Sequence, residues 1–335
     1  MARATVSAGT IAGFLSYAER NGADRAALLA QVGLTGNDLE PAHARLPFAA
    51  HLRVIRAAVA ATGNSALALE YGAATDLSEV SLVGLITLSA PTMADALREL
   101  NRYGRLVVDA GQPRGERFVL SEESDGLWVI DQRLGALDSP ELSEITFARM
   151  ICGPRRFAPE LRCSAVELVH PAPRHAARVR ELFGAPVQFA AGRNAFRIDH
   201  GWLGRRVATQ PVYLAELLGQ HADRLMEALG NRGRLQGQVE QAIAARLHTG
   251  GVSVAAIAAQ LGQSRQTLHR RLRAEGTSFE AVLEALRRRL ANDYLATGRF
   301  SVSEVAYLLG YSDPSAFSRA FKRWTGHSPR RSPGQ

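Results

Sequence analysis

The sequence predicts two folded parts: an α+β domain, then an all-α domain holding two helix-turn-helix units joined by a long helix. Three observations predict this. Over the last third, one segment repeats at an offset of about 48 residues, and each copy reads as a short helix, a glycine turn and a longer basic helix. Over the first two thirds, apolar residues at three- and four-residue spacing give way to a middle region that mixes strand and helix patterns. Between residues 231 and 335, sixteen Lys and Arg stand against seven Asp and Glu; from totals of 40 and 32, that leaves 24 against 25 for the rest. The whole positive surplus therefore sits in one domain, as it does in a protein that binds phosphates.

At 335 residues the chain exceeds one average domain, and 46% apolar residues is enough for a large core. No run of about 18 apolar residues occurs, so no membrane span is expected. Met1 to Ala12 lack the basic head, apolar run and small-residue cleavage site of a secretory signal. The two cysteines, Cys152 and Cys163, form no CxxC and no framework, which fits a reducing cytoplasm.

The elements follow in order. Ile11 to Arg20, Arg25 to Val32 and Pro47 to Ala61 read as helices, with Pro47 suited to a first turn and Gly63 to the exit. The apolar run Val83 to Leu88 ends at Pro91, and Thr92 opens another helical pattern through Met93, Leu97, Leu100 and Leu106. After Gly111, Arg117 to Ser121 and Leu127 to Gln132 read as strands around the turn Glu122 to Gly126. Ser139-Pro140-Glu141 starts a helix that runs to about Cys152. Ala165 to Val169 reads as a strand, His175 to Phe183 as a helix, and Val187 to Phe189 with Phe196 to Ile198 as a hairpin. Val212 to Leu229 is a helix whose seam, Leu214, Leu218, His221, Leu225 and Ala228, suits either a partner helix or the chain's own first domain. Gly230-Asn231-Arg232-Gly233-Arg234 reads as a linker. The expected divisions are 1–205 for the α+β domain, 206–234 for the connector and 235–331 for the all-α domain.

The two repeat copies span about 253–276 and 301–326. Ser253 and Ser301 can cap the first helix of each, and Ser301 with Glu304 makes a capping box. Ile257 and Leu261, and likewise Val305 and Leu309, bury one face. Ala258 and Ala306 are small where the second helix crosses. Gly262 and Gly310 stand where the chain needs a left-handed residue to leave the first helix. Leu268 with Leu272, and Phe317 with Phe321, anchor the second helix, and Pro314 suits a first helical turn.

A plain helical-hairpin repeat would need no special chemistry on the outer face of its second helix. Here that face carries Arg265, Gln266, His269, Arg270 and Arg273 in one copy, and Ser315, Ser318, Arg319, Lys322 and Arg323 in the other. These residue types reach base edges and phosphates; with Thr267 and Pro314 they form the candidate DNA-binding set. Between the copies, Phe279 to Ala296 forms one helix with a buried stripe of Phe279, Val282, Leu283, Leu286, Leu290 and Tyr294. Such a rod can hold two reading helices one duplex turn apart, about 34 Å, so that one chain reads two successive major-groove segments.

These residues resemble the DNA-binding domain of the AraC/XylS family. GYSDPSAFSRAFKRWTGHSP is similar to the family's C-terminal signature, and QTLHRRLRAEGTSF to the branch with ornithine- and arginine-utilisation regulators. The resemblance covers about 235–331. It implies base contacts at Gln266, His269 and Arg270, and at Pro314, Ser315, Ser318 and Arg319. The tail Pro329-Arg330-Arg331-Ser332 departs from it, lacking the aromatic residue that follows this proline. LVGLITLSAPTMADALRELNRYGRLV and RELFGAPVQFAAGRNAFRID resemble the same branch's effector domain over roughly 10–215; that domain's older label, arabinose-binding, does not make arabinose the ligand. The resemblance implies a cytoplasmic, homodimeric bacterial activator with double-stranded DNA, RNA polymerase and a small organic effector as partners, and no cofactor.

Other constellations are weaker. No GxGxxG, Walker A, HExxH or GxSxG occurs. His170, His175 and His200 lie within thirty residues, but nothing in their spacing marks metal ligands. Cys152 and Cys163 read as small buried hydrophobes, and Trp128 and Trp202 as core. A DNA-repair methyltransferase fusion would need a reactive Pro-Cys-His and clustered cysteine ligands, whereas the cysteines here sit in Ile-Cys-Gly and Arg-Cys-Ser. No enzyme activity, catalytic residue or metal is expected. A purely architectural DNA-bending protein would not need an α+β domain of this size, and a first domain that only dimerises is the alternative to one that senses.

Overall fold

A computed structural model describes residues 4–329 apart from 112, 114, 208–211, 232–234, 250–251, 297 and 299. Within it the chain separates into two units, Arg3–Met226 and Glu227–Gln335. No helix among the described residues is long and apolar enough to cross a membrane.

The first unit runs β1 (Thr5–Ser7), α1 (Ala8–Arg20), α2 (Arg25–Val32), β2 (Arg45–Pro47), α3 (Phe48–Thr62), α4 (Leu67–Ala74), α5 (Leu82–Ser89), α6 (Met93–Tyr103) and β3 (Val108–Asp109). It continues with β4 (Phe118–Glu123), β5 (Gly126–Asp131), α7 (Pro140–Cys152), β6 (Cys163–Leu168), α8 (Ala176–Phe183), β7 (Val187–Phe189), β8 (Asn194–Ile198) and α9 (Val212–Asn231). Local chemistry sets many of these bounds. The Asp24 carboxylate accepts the Ala26 and Ala27 N–H groups at the start of α2, and Gly33 closes it at φ 70°. Thr92 and Asp95 form a capping box at α6. Pro47 is the cap residue of α3 rather than part of its first turn, and Gly63 ends the helix at φ 67°.

Two sheets form. One is a three-stranded sheet in the order β2-β1-β3, whose two- and three-residue strands are too short to show an alternating pattern in the sequence. The other has five strands in the order β4-β5-β8-β6-β7. β4 and β5 form a hairpin in which Glu123 faces Gly126, so the loop is only Ser124 and Asp125, tighter than the five-residue turn read from composition. β7 and β8 do not form the expected hairpin. β6 lies between them, parallel to β7 and antiparallel to β8. The reason is the crossover: α8 returns the chain to start β7 parallel to β6, and β8 then takes the opposite edge of β6, against β5.

α4 and α7 join two cores. Phe147, Ala148 and Ile151 of α7 pack with Phe118, Val129 and Phe196 of the large sheet, while Leu142 and Ile145 pack with Phe14, Ile55 and Tyr71. The helices approach closely because Gly72 has no side chain; a Cβ there would lie 2.6 Å from the Ile145 carbonyl oxygen. In sequence α4 is a short apolar run without a resolvable period. α9 packs back through Leu218, Ala222 and Met226 against Val83, Ile86, Tyr103 and Val107, a stripe that shares Leu218 with the seam the spacing marked but leaves His221 and Ala228 exposed. Asp223 secures it by accepting from Arg102 at 2.9 Å and the Tyr103 hydroxyl at 2.8 Å.

The second unit contains α10 (Leu235–Ala244), α11 (Val254–Gln260), α12 (Arg265–Ala274), α13 (Phe279–Ala296), α14 (Val302–Leu308) and α15 (Pro314–Thr325). One core unites them: Val239 and Ile243, Ile257 and Leu268, Val282 and Leu286, and Val305, Phe317 and Phe321 are all buried. The repeat's anchors fall in it as the spacing required, with Leu261, Leu283, Leu290 and Tyr294 only partly buried. Gly230 and Asn231, read as linker, belong to α9, and Arg232 to Arg234 lie outside the described residues, as do Arg330 to Ser332.

Candidate functional site

Each repeat builds its outer helix in the same way. Ser264 caps α12 by accepting the Thr267 N–H at 3.1 Å. Asp313 caps α15 through the Ser315 N–H at 2.7 Å, which holds its carboxyl below the usual carboxylate range, and Pro314 fills the first helical position. Burial of Leu268 and Leu272, and of Phe317, Ala320 and Phe321, turns the opposite faces outward.

On α12, Arg265, Gln266, His269, Arg270 and Arg273 are all exposed. Thr267 is half-buried and its hydroxyl lies 2.9 Å from that of Ser264, so it belongs to the cap. On α15, Ser315, Arg319 and Lys322 are exposed, and Pro314 and Ser318 half-buried. Among the described residues, Arg265, Arg270, Arg273, Arg319 and Lys322 enter no ion pair; the ion pairs of this unit lie elsewhere. Arg323 is set apart: its Nη2 lies 2.7 Å from Glu284 of α13, and Trp324 donates to the same oxygen at 2.6 Å.

Two side chains that sequence reasoning missed position these helices. Arg287 of α13 donates from Nε to the Leu309 carbonyl at 2.9 Å and from Nη2 to the Gly310 carbonyl at 3.2 Å, and lies 4.4 Å over the Tyr311 ring. It clamps the second turn, where Gly310 has φ 70° and a Cβ would stand 2.5 Å from the Leu247 carbonyl oxygen. Glu275, just after α12, accepts the Leu235 and Gln236 N–H groups at 2.8 and 2.9 Å, filling the amide ends of α10 with a carboxylate. Neither leaves a signal in sequence, because both partners lie more than twenty residues away.

The first unit contains a cavity of about 230 Å³ lined by α3, α4, α6, α7 and β4. Its wall is mainly apolar, with Leu97, Leu100, Phe118, Met150 and Trp202. His51, Tyr71, Arg133 and Arg149 also line it. His51 is fully enclosed, and burial next to Arg149 pushes its pKa down to about 3, so the ring is neutral. Trp202 is thus both core and cavity wall. Trp128 is buried but lies outside the apolar core, its ring covered by Arg193 and Arg197 and its Nε1 donating to Asp125 at 2.9 Å.

Of the three histidines, His175 lies 2.9 Å and His170 3.7 Å from the buried Glu144 carboxylate, while His200 pairs with Glu122 on the surface. No group of three His, Cys, Asp or Glu that could hold a metal occurs among the described residues. Burial pushes both thiols up, Cys163 to about 11, so neither is a ready nucleophile.

Two capped, glycine-turned helix pairs on one core, each presenting a basic outer helix, follow an α+β unit with a cavity: this is the build of a helix-turn-helix transcription regulator. Residues 22–207 match the family described as the arabinose-binding domain of AraC transcription regulator, N-terminal, and residues 240–332 match a helix-turn-helix domain family. The first match spans more than half of the chain, and the protein belongs to the AraC transcription regulators that carry this N-terminal domain. It is 28% identical to the ornithine utilization regulator of Pseudomonas aeruginosa over 92% of this chain and 90% of that one. It is 33% identical to the HTH-type transcriptional regulator VirS of Mycobacterium tuberculosis over 58% of this chain and 56% of that one. It is 38% identical to the transcriptional activator NphR of a Rhodococcus species over 28% of each chain.

Proposed function

We propose that this regulator is an effector-responsive activator, with residues 1–205 binding a small organic molecule and dimerising, 206–234 connecting, and 235–331 reading double-stranded DNA. The observation that carries the DNA half is the pair of outer faces on α12 and α15, where Arg265, Arg270, Arg273, Arg319 and Lys322 stand exposed and, among the described residues, enter no ion pair. Gln266, His269 and Arg270, and Ser315, Ser318 and Arg319, are the base-reading set; Arg265, Arg273 and Lys322 meet phosphates; Thr267, Pro314 and Asp313 hold the helix starts in place. Arg323 joins the phosphate set by exchanging Glu284 for the duplex. The effector half is supported by the cavity of about 230 Å³ inside the unit that matches the effector-domain family. Occupancy there biases the DNA-bound state, and the bound homodimer recruits RNA polymerase.

Genome-wide footprinting of the full chain tests the reading. It should protect discrete sites upstream of a few transcription units, each spanning two successive major-groove segments per chain. Uniform, sequence-independent coverage would show an architectural protein instead.

A further inference from the structure

The cavity of the first unit is mainly apolar, yet one wall holds a guanidinium with no counterion. The Nε and Nη2 atoms of Arg149 are buried and make no hydrogen bond, and Arg149 enters no ion pair among the described residues. Its described contacts are with Tyr71, whose ring face lies 4.7 Å from the guanidinium carbon and whose hydroxyl lies close enough to feel its charge. Tyr71 and His51, each 1% exposed, line the same cavity, and the Tyr71 hydroxyl and His51 Nδ1 also lack a well-formed hydrogen bond. Buried polar groups without partners are uncommon in a folded protein, and three from α3, α4 and α7 share one cavity.

Elsewhere in this unit arginines are neutralised by carboxylates. Arg117 holds Asp131 through Nε and Nη2 at 2.9 and 2.7 Å. Arg56 holds Glu141 through the same two atoms at 2.8 and 3.4 Å, and Arg105 holds Asp109 at 2.9 and 3.4 Å. We infer that the cavity binds a monocarboxylate with an apolar body, its charge balanced by the Arg149 guanidinium and its body against Leu97, Leu100, Phe118, Met150 and Trp202. Two oxygens on a planar fork are the strongest match a guanidinium has.

Size and charge narrow the class. A cavity of about 230 Å³ admits a small organic acid. A sugar would need a hydroxyl partner on most sides, and the wall is mainly side-chain carbon. An ammonium group would need a free acceptor. Asp76, the only carboxylate in the wall among the described residues, already accepts from Ser78 at 2.8 Å and faces Arg156 at 3.5 Å. Diamino acids such as ornithine therefore fit poorly, although their carboxylate alone would fit.

This inference rests on reading the first unit as an effector domain, and the test separates the two. The full chain is titrated calorimetrically with straight-chain acids of four to twelve carbons and with 3-phenylpropanoate. Octanamide, octan-1-ol, L-ornithine and L-arabinose are run beside them. A mid-length acid should bind and its amide and alcohol should not, and Arg149→Gln should weaken the acid by at least about 30-fold. Arg149→Lys, which keeps the charge but not the fork, should retain part of the affinity. The comparison of acid with amide needs no variant, so it stands even if Arg149→Gln fails to fold. Equal binding of octanoate and octanamide, unchanged affinity in a folded Arg149→Gln, or no binding by any acid at millimolar concentration would overturn the inference. If arabinose or ornithine binds instead and alters DNA affinity, the effector reading stands and the carboxylate falls. If a truncation lacking the first unit activates transcription as well as the full chain does, the effector reading itself falls.

Discussion

The arginines of the two units do opposite work. In the first unit Arg56, Arg102, Arg105, Arg117, Arg178 and Arg193 each face a carboxylate at 2.9 Å or less. In the second, Arg265, Arg270, Arg273 and Arg319 form no ion pair among the described residues. The same side chain thus serves as a strut where an acid lies within reach and as a reader where none does. Net charge measures the difference: one acid too many before residue 231, nine bases too many after it. The division is not complete: Arg133 and Arg155 in the first unit bond hydroxyls and backbone carbonyls, and Arg289 and Arg323 in the second pair with Glu240 and Glu284.

The comparison breaks most sharply at a buried strut. Asp131 is fully enclosed and Arg117 nearly so. Arg117→Ala should therefore destabilise the first unit by about 3–5 kcal/mol, because it strands a buried carboxylate. Denaturant unfolding would read the loss, while a folded fraction should still bind DNA normally. A change below about 1 kcal/mol would mean that the pair is replaceable by water.

His51 sharpens the comparison through pH. Its folded pKa of about 3 lies below the ordinary value of 6.5, so the unfolded chain binds a proton that the folded one refuses. Its contribution is present above pH 6.5 and falls by about 1.4 kcal/mol per pH unit as acid is added between those values. Unfolding at pH 6.5 and 4.5 should show wild type losing about 2–3 kcal/mol more than His51→Gln. Parallel losses would place the histidine in contact with water.

The readers should behave in reverse. Arg270→Ala and Arg319→Ala should leave stability within about 0.5 kcal/mol. Each should cost about 1–3 kcal/mol on cognate DNA and relax base preference at one position, measured by titration on cognate and scrambled duplexes. Equal losses on both duplexes would make them phosphate contacts.

The smallest effect belongs to Glu284. Its pair with Arg323 is largely exposed, so Glu284→Gln should cost at most about 1 kcal/mol of stability. It should strengthen DNA binding modestly, with a steeper salt dependence as one more cation becomes available to phosphate. Weaker binding would show that Glu284 serves the complex by orienting Arg323.

What could be read in the chain alone follows from interaction range. The caps at Ser253 and Ser301, the left-handed Gly262 and Gly310, and the buried pairs Leu268–Leu272 and Phe317–Phe321 all depend on partners within about four residues. Their spacing in sequence is their geometry in space, and the repeat shows it twice. That was enough to place the outer faces of α12 and α15 and to locate the surplus charge. Only the tertiary structure could set β6 between β7 and β8, or turn α9 onto Ala222. Only it could bring Arg287 to the Gly310 turn and set Glu284 beside Arg323. Positions 51, 71 and 149 meet around one cavity because three helices pack there, and each reads in sequence as an ordinary residue of its own helix. Long-range pairing follows from which faces bury together and how closely helices approach, as at Gly72. No local period records that choice.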